Sequence, residues 1–254
     1  MRMDLSERSD CIIALLSENG ALSATELSER LSVSVQTIRA DLRSLDDAAL
    51  IRRRNGMVQL RQKSENIAYH PRSRISRQEK QRIALAVKNL IPDGARVALG
   101  TGTTVEHCAS FLTSHKGLFV VSNNIHAVCA LQNSSTIEVE IAGGSVRMRD
   151  LDMIGAAAFE FYAKYRIDYA IFSCGGVSSS GMVMDYNSDE VSARKAISSC
   201  AKTKVLVVDK KKVGLDLACQ YGYLWEYDIV VTTAELDEDI TKGCVRNACR
   251  IIYV

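Results

Sequence analysis

Proline is nearly absent, two in 254 residues, so helices run with few forced interruptions. Long apolar runs are missing as well. Nowhere do ~18 apolar residues follow one another, and the amino-terminal stretch has no apolar core, which argues against a membrane span or a signal peptide. Neither sign of charge dominates: 32 basic residues against 30 acidic leave a net +2, which neither demands nor excludes nucleic acid. Where the charge sits matters more than its sum. The eight cysteines, at 11, 108, 129, 174, 200, 219, 244 and 249, form no Cys-x-x-Cys, and the four histidines do not cluster with them. Disulfides or zinc want closer and more regular spacing. Buried free thiols in a reducing cytosol fit better, so a cytoplasmic protein without metal or cofactor is expected. Internal repeats and low-complexity tracts are lacking too. What remains is ordinary globular composition, 47% hydrophobic and 24% charged, in a length that fits one large domain or two smaller ones.

The most informative stretch runs from 23 to 60. Ser23 with Glu26 three residues on is a capping box, so a helix starts there and runs to about Arg30. Ser34 offers a second N-cap, and Val35, Ile38, Leu42 and Leu45 recur at helical spacing as one buried face. The opposite side carries Gln36, Thr37, Arg39, Ala40 and Arg43. Gln and Arg make bidentate contacts to base edges, while Thr and Ala can touch a thymine methyl. Next come Arg52, Arg53 and Arg54, then Asn55-Gly56, a strong signal for a two-residue hairpin turn. Three arginines on a two-stranded wing beside such a helix suit a phosphate backbone. With a first helix over 5–18, these pieces make a DNA-binding head spanning 1–60. The alternative is a small helical cap with a solvated arginine run.

Apolar periodicity vanishes over 61–77, which reads as a linker, with Arg72, Arg74 and Arg77 as further candidate phosphate partners. From 78 to 254, helix-like and strand-like segments alternate. Strands are expected at 95–99, 118–121, 136–142, 168–173, 204–209 and 229–232. Helices are expected at 78–90, 104–112, 124–131, 154–165, 189–201 and 237–247. That alternation predicts an α/β domain, a mostly parallel open sheet with helices on both faces.

Open parallel sheets bind ligands at the carboxyl ends of their strands. The first strand runs straight into Gly100-Thr101-Gly102-Thr103-Thr104, which opens a helix. Glycines admit a close anion, and free N–H groups at a helix start point toward it. This is a phosphate cradle on chemical grounds, with a ligand-free structural turn as the alternative. A Walker loop needs a Lys after its last glycine, and a dinucleotide fingerprint needs a third glycine and a ribose-binding carboxylate; all are missing. Other strand ends offer Asn123, then Gly143, Gly144 and Arg147, then Gly175 with Glu190 and Lys195 beyond, and finally Lys212. Cations there suit a phosphate; amide and carboxylate groups suit sugar hydroxyls.

The run from Leu31 to Leu42, with Leu45 and the hairpin through Gly56, resembles the winged helix-turn-helix of the DeoR family of bacterial sugar-metabolism regulators. Two positions depart from the family pattern: Ala40 where a second Arg is common, and Asn55-Gly56-Met57 where the wing tip is usually His-Gly-Gly. From about residue 76 the chain is similar to the family's sensor domain, which shares the fold of ribose-5-phosphate isomerase and binds phosphorylated sugars or polyols. The isomerase's phosphate loop, Thr-Gly-Ser-Thr, is matched by Thr101-Gly102-Thr103-Thr104. Its catalytic Asp-Gly-Ala-Asp falls on Cys174-Gly175-Gly176-Val177, where both carboxylates, and with them a general base, are absent. Lys195 and Lys212 stand near the isomerase's basic residues. The resemblance therefore implies a regulator with no catalytic residues, not an enzyme. It would be a homodimer or homotetramer on a double-stranded DNA operator, most simply a repressor released by a phosphorylated sugar or polyol, with activation left open. The competing reading is an isomerase-like enzyme fused to a DNA-binding head.

Overall fold

The computed structural model describes residues 5–47, 50–60, 72 and 76–254. By internal contacts the chain separates into two units, Met1–Arg77 and Gln78–Val254. Most of the expected linker, including Arg74, lies outside the described residues. Arg77 opens a helix.

The first unit contains α1 (Leu5–Asn19), β1 (Leu22–Ser23), α2 (Ala24–Leu31), α3 (Val35–Asp47), β2 (Ile51–Arg54) and β3 (Met57–Leu60). The capping box closes as the sequence predicts: the Glu26 N–H donates to Ser23 Oγ at 3.2 Å, and the Ser23 N–H to Glu26 Oε2 at 2.7 Å. Ser34 caps α3 by accepting from the Thr37 N–H at 3.1 Å. Ile12, Ile13 and Leu16 of α1 pack with Leu27, Ile38, Leu42 and the wing residues Ile51 and Val58 in one core. At the wing tip Asn55 (φ 51°) and Gly56 (φ 76°) both take positive φ, the combination a type I′ turn requires. The wing is not two-stranded: β1 adds to β3, giving a three-stranded antiparallel sheet in the order β1-β3-β2. Two residues are too few to show a strand period.

The second unit begins with α4 (Arg77–Leu90), of which all but the first residue belongs to it. It continues through β4 (Arg96–Leu99), α5 (Thr103–Leu112), β5 (Phe119–Ser122), α6 (Ile125–Leu131), β6 (Glu138–Ile141), β7 (Val146–Arg147), β8 (Asp152–Met153) and α7 (Ala156–Tyr162). It is completed by β9 (Ile167–Phe172), β10 (Gly176–Val177), β11 (Met182–Asp185), α8 (Ser188–Ser199), β12 (Ala201–Val208), β13 (Cys219–Tyr223), β14 (Ile229–Thr232), α9 (Glu238–Arg246) and β15 (Arg250–Tyr253). Seven strands form one sheet in the order β15-β14-β12-β9-β4-β5-β6, and every pairing is parallel.

Alternate residues of each strand face opposite sides of a sheet. Val97 and Leu99 therefore join α4, α5 and α6 in one apolar cluster, while Ala98 joins α8 and α9 in another. The parallel sheet with both faces covered is the α/β class read from the sequence. Several details differ, among them a seventh parallel strand, β15, where six were expected. The strand expected at 204–209 starts earlier, at Ala201, a residue assigned to the preceding helix. The helix expected at 154–165 is shorter, Ala156–Tyr162. An antiparallel sheet, β10-β11-β13, and the β7-β8 hairpin were not legible, because their strands are short or pair across long separations.

Candidate functional site

On the first unit, Ser34, Gln36, Arg39, Ala40 and Arg43 are exposed along one side of α3, with Thr37 half-buried beside them. The inner side is held by Ile38, Leu42, Leu45 and the buried carboxylate of Asp41. Arg52, Arg53 and Arg54 are all exposed on β2. Alternation splits them. Arg53 shares the face of Ile51 and leans toward α3, donating to the Arg39 carbonyl at 3.4 Å and lying 3.9 Å from Asp46. Arg52 and Arg54 face the other way. The nine residues read from the sequence thus form one helix face and one wing strand.

On the second unit, the strand ends gather the other candidates. Gly100 is buried; its N–H donates to the Ile171 carbonyl at 3.0 Å and its own carbonyl accepts from Asn124 Nδ2 at 3.2 Å. Gly102 turns with φ 110°, a conformation that favours glycine, and α5 starts at the next residue. The first N–H groups of α5 have no partner within the helix. Thr101 and Gly102 are half-exposed, and Thr103 is buried beneath them. Thr104 is sealed completely and its hydroxyl has no partner among the described residues. Its side chain belongs under the loop, not on its open side. A Cβ on Gly102 would sit 3.5 Å from Ser173 Cβ, so the loop lies against the end of β9. There Lys212 delivers its ammonium, donating to Ser173 Oγ at 2.6 Å and to the Cys174 carbonyl at 2.7 Å. Lys212 comes from a single 3₁₀ turn, Lys210–Lys212, that follows β12 and is capped by Asp209.

A second cluster lies at the carboxyl end of β5. The β7-β8 hairpin docks there, with the Met153 N–H donating to the Asn123 carbonyl at 2.9 Å. Gly143 and Gly144, both exposed, lead into that hairpin. Arg147 on it grips Asp152 with two hydrogen bonds, 2.9 and 2.7 Å, and reaches Glu190 in the first turn of α8 at 3.1 Å. Burial opposes the Arg147 charge, but Asp152, Glu190 and Asp150 hold its pKa above the usual value. Burial pushes the Glu190 carboxyl up to about 7, with Asp185 adding to the shift and Arg147 and Arg194 countering it. Asp185 itself pairs with the buried Arg194, whose guanidinium also lies 5.9 Å from the Tyr221 ring. The Arg194 Nε has no partner among the described residues. Gly175 is tightly enclosed: a Cβ there would meet Leu217 at 2.7 Å and the Asp185 carboxylate at 3.0 Å.

Comparison with known proteins matches both units. A DeoR-like helix-turn-helix domain model covers residues 8–63, and a DeoR C terminal sensor domain model covers 75–234. The chain belongs to the DeoR family. The glycerol-3-phosphate regulon repressor of Escherichia coli is 35% identical over 232 residues, covering 91% of this chain and 92% of that relative. The HTH-type transcriptional repressor CsqR of the same organism is 34% identical over 240 residues, 94% and 90% of the two chains. Among solved structures, a D-ribose-5-phosphate isomerase aligns with 18% identity and a TM-score of 0.39, covering 54% of each chain. As a DeoR-family protein with this head, the chain is a DNA-binding regulator and not an enzyme.

Within the DeoR sensor unit, the fold gives two further sequence candidates, Asn123 and Lys195, contrasting surroundings. Asn123 is wholly buried; its amide donates to the Met153 carbonyl at 2.9 Å and accepts from the Tyr162 hydroxyl at 3.0 Å. It braces the hairpin. Lys195 is exposed, whereas its neighbour Arg194 is the cation turned inward. Sequence reasoning missed Ser173 and Arg194. The helical stripe Val191, Arg194 and Ile197 was the available signal for Arg194, since an arginine on an apolar stripe is buried and must find a carboxylate.

Proposed function

We propose that this regulator represses a carbohydrate or polyol catabolic operon and leaves its operator when a phosphorylated sugar or polyol enters the cradle at 100–104. One observation supports the reading: the Lys212 ammonium bonds to Ser173, whose side chain lies next to Gly102 of the turn that opens α5. A cation near the free N–H groups of a helix start is the chemistry that holds a phosphate. Beyond that corner lie Arg147, Asp185, Glu190 and Arg194, whose carboxylates and guanidinium groups suit the hydroxyls of a sugar or polyol. The name of the glycerol-3-phosphate regulon repressor makes a three-carbon polyol phosphate the first compound to try.

In this reading residues 1–60 grip DNA, 61–77 connect, and 78–254 sense the effector in the cytosol. Gln36, Thr37, Arg39, Ala40 and Arg43 read bases, and Ser34, Arg52, Arg53 and Arg54 hold phosphates. A homodimer or homotetramer presents two heads at the spacing of a repeated operator. For release, the effector has to bind the DNA-free arrangement more tightly than the DNA-bound one.

The test is thermal stabilisation by glycerol 3-phosphate, ribose 5-phosphate, glucose 6-phosphate and fructose 6-phosphate, each against its unphosphorylated counterpart. The reading expects at least one phosphorylated compound to raise the melting temperature, and Lys212→Met to remove that response. A flat response across the panel contradicts it.

A further inference from the structure

The sequence gives no hint of a contact between the start of the sensor unit and its sixth parallel strand, yet one is built with several bonds. Glu79, in the first turn of α4, is 131 residues from Lys210 and 154 from Thr233. Its Oε2 accepts from the Thr233 hydroxyl at 2.6 Å and from the Lys210 N–H at 3.3 Å, and its Oε1 lies 3.5 Å from the Lys210 ammonium. The Lys210 N–H also donates to Thr233 Oγ1 at 3.0 Å, so the three groups close a small ring. Only 12% of the Glu79 side chain is exposed.

The partner in this ring belongs to the same 3₁₀ turn that carries Lys212. Lys210 and Lys212 are its two ends, and three residues in so tight a turn do not move independently. At one end the turn touches Ser173 and, through it, the glycine loop. The other end holds Glu79, two residues after the point where the first unit ends. A phosphate in the cradle draws the Lys212 ammonium away from Ser173 and Cys174, because a charge-assisted bond to an anion is stronger than one to a hydroxyl or a carbonyl. Displacing that end reorients the Lys210 N–H and ammonium at the other.

We propose that Glu79 is the positioning residue that couples the effector cradle to the start of α4, and so to the DNA-binding unit that precedes it. This rests on the reading of the cradle as a phosphate site. Glu79 touches neither effector nor DNA. Its contribution is the difference between the two arrangements of the Lys210–Lys212 turn, and allosteric couplings of this kind span about 5–150-fold in affinity.

The experiment measures DNA binding by the full chain, using the duplex upstream of its own gene, with and without glycerol 3-phosphate or inorganic phosphate. Glu79→Gln keeps size and removes charge. It is expected to bind DNA without ligand as the unaltered protein does, and to show the same thermal shift with the probe. The fold-weakening of DNA binding by that probe is expected to drop by on the order of 10-fold. Thr233→Val, which removes one bond of the ring and keeps its shape, is expected to lose part of the coupling and serves if Glu79→Gln folds poorly. Full release in both variants overturns the proposal. So does loss of the thermal shift in both, which would make the ring part of the cradle itself. No response of the unaltered protein to either probe overturns the phosphate reading first, and this proposal with it.

Discussion

Arg8 and Asp41, 33 residues apart, meet in a two-pronged ion pair that ties α1 to the inner side of α3, with Arg8 Nη2 at 3.0 Å from Asp41 Oδ1. Asp41 is 1% exposed. Breaking a buried pair by removing one partner costs about 3–5 kcal/mol. Asp41→Asn is expected to destabilise the first unit by about 3 kcal/mol, at the lower end of that range because Arg8 keeps some contact with solvent. Urea unfolding followed by circular dichroism measures it, and an unchanged midpoint would mean the pair contributes nothing.

Gln36 and Arg39 stand exposed on α3, and Arg52 lies on the wing face turned away from it. Gln36→Ala and Arg39→Ala are expected to cost about 1–3 kcal/mol each, concentrated at particular base pairs of the operator. Arg52→Ala is expected to weaken all sequences alike and to lower the salt slope by about 1. Competition binding against operators with single base-pair changes separates the two behaviours. If Arg39→Ala leaves every operator equally bound, the recognition face is misassigned.

How much of this was legible follows the range of the interactions. The capping box at Ser23 and Glu26 and the Asn55-Gly56 turn are local, set within four residues, and the structure forms both. Six of the seven parallel strands were legible as strand-like runs between helical segments, and β15 was not. The Arg8–Asp41 pair and the Glu79 ring were not, because nothing local marks partners 33 or more residues apart. Lys195 was legible as a lysine beyond a strand end, whereas Arg194 beside it was not. The helical period turns position 194 inward and leaves 195 in solvent. The bonds of Asn123 to the docked hairpin and to Tyr162 were not legible, because those partners lie 30 or more residues away.

Thr104 offers a test with a sign that a ligand contact does not produce. Its hydroxyl is sealed and unpartnered among the described residues, so Thr104→Val removes an unsatisfied polar group without changing shape. The variant is expected to be more stable by about 1 kcal/mol and to keep its response to phosphorylated compounds. Calorimetry with and without ligand measures both. Loss of stability would show that the hydroxyl has a partner in solution.

Glu190 gives a pH dependence of known direction. Its carboxyl sits at about 7 in the folded protein against an ordinary 4.5, because burial and Asp185 disfavour the charge. Between those values the folded state holds the proton and the unfolded chain has released it, so rising pH favours unfolding. The stability of the unaltered protein relative to Glu190→Gln is expected to fall from pH 4.5 to about 7 and to level off above. Denaturation series across that range measure the difference, and a flat difference would place the Glu190 carboxyl in its ordinary range.

The central claim is that a phosphate held between the glycine turn and Lys212 decides whether the head stays on DNA. Fluorescence anisotropy of labelled upstream DNA, titrated with phosphorylated sugars and polyols, measures it most directly. The account predicts that one such compound lowers the anisotropy of the unaltered protein's complex and leaves that of the Lys212→Met complex unchanged. Release of both proteins by the same compound at the same concentration, or of neither by any, would contradict it.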